Sequence, residues 1–144
     1  MKKLFILLLL LMGLYSCANT DETENLPPKK TMPADDYIPE AVYRKVSAEE
    51  ARDLMSAAKS FILLDVRTEA EYKEKRIDGA MLMPDYEVAG RAEAELADKT
   101  ALIFIYCRSG RRSANAAKEL VDMGYTNVYD FGGINDWAYE TVSG

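Results

Sequence analysis

Ala101-Leu102-Ile103-Phe104-Ile105-Tyr106-Cys107-Arg108-Ser109-Gly110-Arg111-Arg112-Ser113 is the stretch that decides how this chain folds. The apolar run Ala101–Tyr106 is uninterrupted, long enough for a strand and too short for a helix. A strand without polar alternation is covered on both faces, as in a parallel sheet flanked by helices. A cysteine and an arginine-rich turn follow. From Ser113 to Met123, Ala117, Leu120 and Val121 fall on one helical face, and Gly124 stands where a left-handed C-terminal cap belongs.

The flanking segments repeat this alternation. Val42–Val46 reads as a short strand, and Ser47 with Glu50 forms a capping box. The helix it opens has an apolar stripe of Ala51, Leu54, Met55 and Ala58. Phe61–Val66 is a second buried strand, broken only by Asp65, and a short helix spans Glu69–Lys75. A brief strand over Ala80–Met83 stops at Pro84, and Val88, Ala92 and Leu96 give a further helix its apolar face. Asn127–Phe131 is the last strand, with a helical turn around Trp137. The expected architecture is α/β, an open, twisted, mainly parallel sheet of about five strands with helices on both faces.

The first residues read as a processing signal. Lys2 and Lys3 precede the apolar run Leu4–Met12, which is too short for a mature membrane span. Leu14-Tyr15-Ser16-Cys17 resembles the lipobox of bacterial lipoproteins. The resemblance implies a signal peptide over residues 1–16, cleavage before Cys17 and lipidation of that cysteine. Residues 17–40 hold four of the chain's five prolines and have no hydrophobic period, so they read as a flexible linker to a domain at 41–144. Fully stretched, the linker would reach roughly 75 Å. Ala18 after the cysteine suggests the outer membrane, facing the periplasm, by analogy with enterobacterial sorting.

Composition narrows the chemistry. Removing residues 1–16 takes Lys2 and Lys3 and no acid, leaving 16 basic against 24 acidic side chains, a net charge of −8. Such a chain has no general attraction for nucleic acid or anionic lipid, so its expected contact with a membrane is the lipid anchor alone. The sequence contains no histidine, which removes Cys–His and Ser–His–Asp catalysis and histidine metal sites. No cofactor or metal is expected. Of the two cysteines, lipidation would consume Cys17 and leave Cys107 alone.

Ligands of an open parallel sheet bind beyond the carboxyl ends of its strands. Cys107, directly after its strand, should share that edge with Asp65 and Arg67. The turn to the following helix aims backbone N–H groups inward, and the helix dipole adds partial positive charge. Arg108, Arg111 and Arg112 strengthen that charge. Together these favour the thiolate, a nucleophile facing an anion-binding loop formed by Arg108, Ser109, Gly110, Arg111, Arg112 and Ser113.

Cys107-Arg108-Ser109-Gly110-Arg111-Arg112-Ser113 resembles the active-site loop of rhodaneses. Leu64-Asp65-Val66-Arg67 with Glu71-Tyr72, then Ile77-Asp78-Gly79-Ala80 and Pro84, is similar to a second hallmark of that family, and Gly132-Gly133 with Trp137 to a third. The resemblance implies the rhodanese fold and a sulfurtransferase. Cys107 would take sulfur from a small anionic donor such as thiosulfate as a persulfide and pass it to a thiol acceptor, on a small molecule or a protein. Arg108, Arg111 and Arg112 would bind the donor. Asp65 and Arg67 would brace the loop, with Arg67 paired to Glu71. The sequence departs from the pattern at Lys75-Arg76-Ile77, where the family has Gly-His-Ile.

Two other readings use the same residues. A related phosphatase or arsenate reductase needs an arginine six positions after the cysteine, but position 113 is Ser and the arginine falls one residue early, at Arg112. A non-catalytic binding or redox-sensing module would use Cys107 only as a site of oxidation.

Overall fold

A computed structural model describes residues 42–144. The expected signal peptide, lipidated Cys17 and linker all lie outside the described residues. In chain order the elements are β1 (Val42–Lys45), α1 (Ala48–Ala57), β2 (Ile62–Asp65), α2 (Glu69–Glu74), β3 (Met81–Leu82), α3 (Val88–Glu95), β4 (Ile103–Cys107), α4 (Arg111–Asp122) and β5 (Asn127–Gly133). Short 3₁₀ turns cover Asp85–Glu87 and Ile134–Asp136. The five strands form one sheet in the order β1-β5-β4-β2-β3, with every pairing parallel. This is the α/β architecture expected from the sequence.

The side chains of β4 alternate between two cores. Ile103, Ile105 and Cys107 pack with Val88, Ala92 and Leu96 and with Ala117 and Leu120, so α3 and α4 cover that face. Phe104 and Tyr106 point the other way, into a core with Ala51, Met55 and Phe131, under α1. Full burial of each large apolar side chain contributes about 1.5–3 kcal/mol, which explains why this central strand is the most apolar in the chain.

Local signals explain where the helices begin and end. Ser47 and Glu50 form the expected capping box, and Thr68 with Glu71 forms a second at the start of α2. α4 ends with Gly124 at φ 94°, its N–H donating to the Val121 carbonyl while the Tyr125 N–H reaches Leu120. Two apolar residues depart from expectation. Leu54 and Phe61 are each 41 % exposed. Leu54 lies at the rim of the α1 stripe, and Phe61 precedes β2 and rests edge-on against Phe104.

Candidate active site

Because all five strands run the same way, Asp65, Cys107 and Gly133 come to one sheet edge. Cys107 is the last residue of β4, rather than the first beyond it, and is 1 % exposed. The turn is also shorter than expected. Gly110 adopts the left-handed conformation at φ 98° and serves as N-cap, so α4 begins at Arg111, not at Ser113. Only Arg108, Ser109 and Gly110 therefore form the loop, while Arg111, Arg112 and Ser113 are the first helical turn.

This tight entry wraps the sulfur in donors. The Gly110 N–H points at Cys107 Sγ, 3.1 Å away. Burial pushes the thiol up, but the Ser113 N–H and hydroxyl and the N–H groups of Ser109 and Gly110 outweigh it, holding the thiol below its ordinary value. Ser113 is fully buried, and its hydroxyl also lies 3.1 Å from the carbonyls of Gly110 and Gly132.

The floor beneath the loop is Gly132-Gly133. A Cβ on Gly133 would sit 2.3 Å from the Arg108 carbonyl oxygen and 2.7 Å from Ser109 Cα, so only glycine lets β5 pass under the loop. Asn135 N–H donates to the Arg108 carbonyl at 3.3 Å, tying the loop to the turn after β5. No motif marks Asn135 in the sequence; the paired glycines Gly132-Gly133 at a strand end are the nearest signal.

The supporting residues pair differently from the sequence expectation. Arg67 does not pair with Glu71; its guanidinium binds Asp65, with bonds of 2.5, 2.9 and 3.1 Å, and donates to the Lys75 carbonyl at 2.6 Å. Both members of this pair are buried, at 4 % and 0 % exposure, with every side-chain donor and acceptor among the described buried atoms satisfied. Removing one partner would strand a charge in the interior. Arg67 also lies over the Tyr106 ring, whose hydroxyl accepts the Ile77 N–H at 3.2 Å. Burial and the nearby Asp65 push that phenol well above its ordinary value.

Glu71 instead holds Arg112, through two bonds of 2.8 Å. Arg112 is thus committed to a protein carboxylate, whereas Arg108 and Arg111 face solvent at the mouth of the loop. A helix N-terminus disfavours cations; the Glu71 carboxylate offsets this for Arg112. Among the described residues no group of three or more His, Cys, Asp or Glu side chains is arranged to hold a metal ion. What the arrangement can do chemically is present a stabilised thiolate, at the base of a short basic loop, to an anion.

Comparison with known proteins agrees with this geometry. Residues 47–140 match the model of the rhodanese-like domain. Thiosulfate sulfurtransferase PspE of Escherichia coli is 37 % identical over 81 residues, covering 56 % of this chain and 78 % of that protein. Thiosulfate sulfurtransferase GlpE of Coxiella burnetii is 30 % identical over 97 residues, or 67 % of this chain and 88 % of the relative. A solved structure of a rhodanese with anions from E. coli superimposes with a TM-score of 0.56 at 35 % identity, covering 59 % of this chain and all of that one. With the fold, the order of the motifs and these relatives in agreement, the chain belongs to the rhodanese-like domain family.

Proposed function

We propose that this protein is a sulfurtransferase that carries sulfane sulfur on Cys107. The observation that bears most weight is the convergence of backbone N–H groups on Cys107 Sγ, above all that of Gly110 at 3.1 Å. The relatives named thiosulfate sulfurtransferases support the same reading. In the first step the Cys107 thiolate attacks the outer sulfur of thiosulfate. The bond to the inner sulfur breaks, sulfite leaves with the electron pair, and Cys107 becomes a persulfide anion. In the second step a thiolate acceptor attacks the terminal sulfur, and Cys107 departs as the thiolate. Charge is conserved in both steps, and no histidine is needed because no proton must be removed from the nucleophile.

Arg108 and Arg111 attract the dianionic donor. The loop N–H groups stabilise the negative sulfur in every state, and Asp65 and Arg67 keep the loop's neighbouring strand end rigid. Incubation with thiosulfate should raise the intact mass by roughly 32 Da, reversibly with cyanide or a thiol, and Cys107→Ser should abolish the gain. A thiol that takes up no sulfur would leave a binding or redox-sensing module as the better description.

We also propose that the domain is carried outside the cytoplasm on a lipid attached to Cys17, at the outer membrane facing the periplasm. Leu14-Tyr15-Ser16-Cys17 is the support for this reading. The protein should partition with membranes, and Cys17→Ser should release it or block processing. A freely soluble wild type with an unmodified N-terminus would overturn the anchor.

A further inference from the structure

Tyrosines aside, the polar or charged residues buried among the described ones are Asp65, Arg67, Ser113 and Asp130. The first two pair with each other and Ser113 serves the sulfur, which leaves Asp130, 0 % exposed, without a part. Among the described residues no lysine or arginine pairs with it. Its two carboxylate oxygens are divided. Oδ1 accepts the Gly132 N–H at 2.9 Å, and Oδ2 accepts the Tyr43 hydroxyl of β1 at 3.2 Å. Burial, and after it the Asp130 carboxylate, raises the Tyr43 phenol above its ordinary value. Taking a carboxylate out of water without a cation is costly, so stability alone does not account for Asp130.

Its bond to Gly132 sits at an irregularity in the central ladder. Ile105 pairs with Asp130 and Cys107 with Gly133, two steps along β4 against three along β5, so β5 carries one extra residue here. This bulge puts Gly132 in the left-handed region, at φ 86°. Asp130 closes it by reaching two residues along its own strand, as short acidic side chains do in turns. β1 holds the same residue by its backbone, the Val46 N–H donating to the Asp130 carbonyl at 3.0 Å. What the bulge sets is the underside of the active loop. The Gly132 carbonyl accepts the Ser113 hydroxyl at 3.1 Å, and a Cβ on Gly110 would lie 3.4 Å from Gly132 Cα. Ser113 and Gly110 are two of the residues whose N–H groups hold the Cys107 thiolate.

We propose that Asp130 is a positioning residue for the sulfur-carrying loop: through Gly132 it sets where Ser113 and Gly110 present their N–H groups to Cys107 Sγ. It acts as a hydrogen-bond acceptor and not as a charge, because a negative charge near the thiolate would oppose it. The inference rests on the sulfurtransferase reading only for its effect on turnover; the acidity of the thiol is measurable without a sulfur donor.

The test is the pH midpoint of iodoacetamide alkylation in the full chain, read at the Cys107 peptide by mass spectrometry. Asp130→Ala frees the Gly132 N–H, loosens the bulge and should raise the midpoint by about half a pH unit or more. Asparagine keeps an oxygen for the Gly132 N–H and an amide that can donate to the Tyr43 oxygen, so Asp130→Asn should stay near the wild type. A role through charge predicts the reverse, since loss of a nearby anion lowers the midpoint in both variants. Tyr43→Phe releases only Oδ2, costs little to folding because Tyr43 is 38 % exposed, and should raise the midpoint by less. Thiosulfate loading of Asp130→Ala should be about threefold slower or more at pH values below both midpoints and approach the wild type above them. A midpoint that is unchanged or lowered in Asp130→Ala, or one displaced equally in Asp130→Asn, would overturn the positioning role. If Asp130→Ala does not fold, an unchanged midpoint in Tyr43→Phe overturns it alone. A wild type that takes up no sulfur would overturn the sulfurtransferase reading and leave the midpoints to decide Asp130.

Discussion

The carboxylate of Glu71 and the guanidinium of Arg112, 41 residues apart in sequence, meet through two hydrogen bonds of 2.8 Å. The contact joins the first turn of α2 to the first turn of α4. Glu71 also accepts the Thr68 N–H at 3.1 Å, closing the capping box of its own helix. One carboxylate therefore starts one helix and neutralises a cation at the start of another.

This double role should be visible in acid. The Arg112 guanidinium, with Thr68 and against a smaller opposing effect of burial, holds the Glu71 carboxyl at about 2, below its ordinary 4.5. A depressed carboxyl contributes stability above its unfolded value and loses it as pH falls through the folded one. The side chain is 22 % exposed, and after discounting for solvent screening Glu71→Gln should cost about 1 kcal/mol near pH 7. The gap between wild type and variant in urea midpoint should close between about pH 4.5 and 2. A gap independent of pH would show that the charge is irrelevant.

Alkylation kinetics test the thiol. Cys107 should react with iodoacetamide with a midpoint below the ordinary thiol value of 9.0. Ser113→Ala removes a hydroxyl that serves the sulfur and the Gly110 and Gly132 carbonyls. It should move that midpoint upward and cost about 1 kcal/mol of stability. An unchanged midpoint would remove Ser113 from the account of the thiol's acidity.

Two glycines should respond in opposite senses. Gly133→Ala forces backbone against backbone at 2.3 Å from the Arg108 oxygen, so the loop must shift and sulfur transfer should fall at least about tenfold. Gly90 lies within α3 with nothing within 4 Å of an added Cβ; Gly90→Ala should stabilise the protein by about 0.5–1 kcal/mol. Thermal melts and sulfurtransferase assays on both variants decide it.

Donor charge probes the exposed arginines. Arg108→Ala and Arg111→Ala should raise the apparent KM for thiosulfate more than for an uncharged donor, because each removes attraction for an anion. Arg112→Ala should act differently, through stability, since its guanidinium is already paired with Glu71. Equal KM effects from all three would contradict that division.

Phosphate esters should be refused. A wrapping arginine would have to occupy position 113, where Ser113 is buried against Gly110 and Gly132. Hydrolysis of p-nitrophenyl phosphate should stay at background, and inserting one residue between Arg108 and Arg112 should weaken sulfur transfer. Robust phosphatase turnover would overturn the argument from loop length.

Much of this was legible because it is local. Capping boxes, apolar periods and the Gly124 cap each depend on a few neighbouring residues, and they located the helices and strands. α4 starts two residues before the helix that the apolar period implies, with two arginines opposed to the helix dipole, and the residue that offsets one of them is Glu71, far away in sequence. The pairing of Arg67 with Glu71 that the resemblance implies gives way to a nearer partner. Asp65 lies nearer the Arg67 side chain once the turn after β2 folds back, with the Arg67 N–H on Asp65 Oδ1 at 3.0 Å. Residues 141–144 carry no periodic pattern, so the bridge between Val142 and Arg76 is visible only in the folded chain.

The parallel sheet also sets when the loop gains its floor. β1 meets β5 in a register that pairs Val42 with Asn127, and β5 supplies Gly133 beneath the loop on β4. Such distant pairings form slowly, because a long stretch of chain must close before any contact rewards it. Until β5 docks, the Arg108–Gly110 turn has no floor. The loop's floor thus depends on a strand that seats only when distant parts of the chain have met, so a lesion in β5 reaches the surroundings of Cys107 without touching β4.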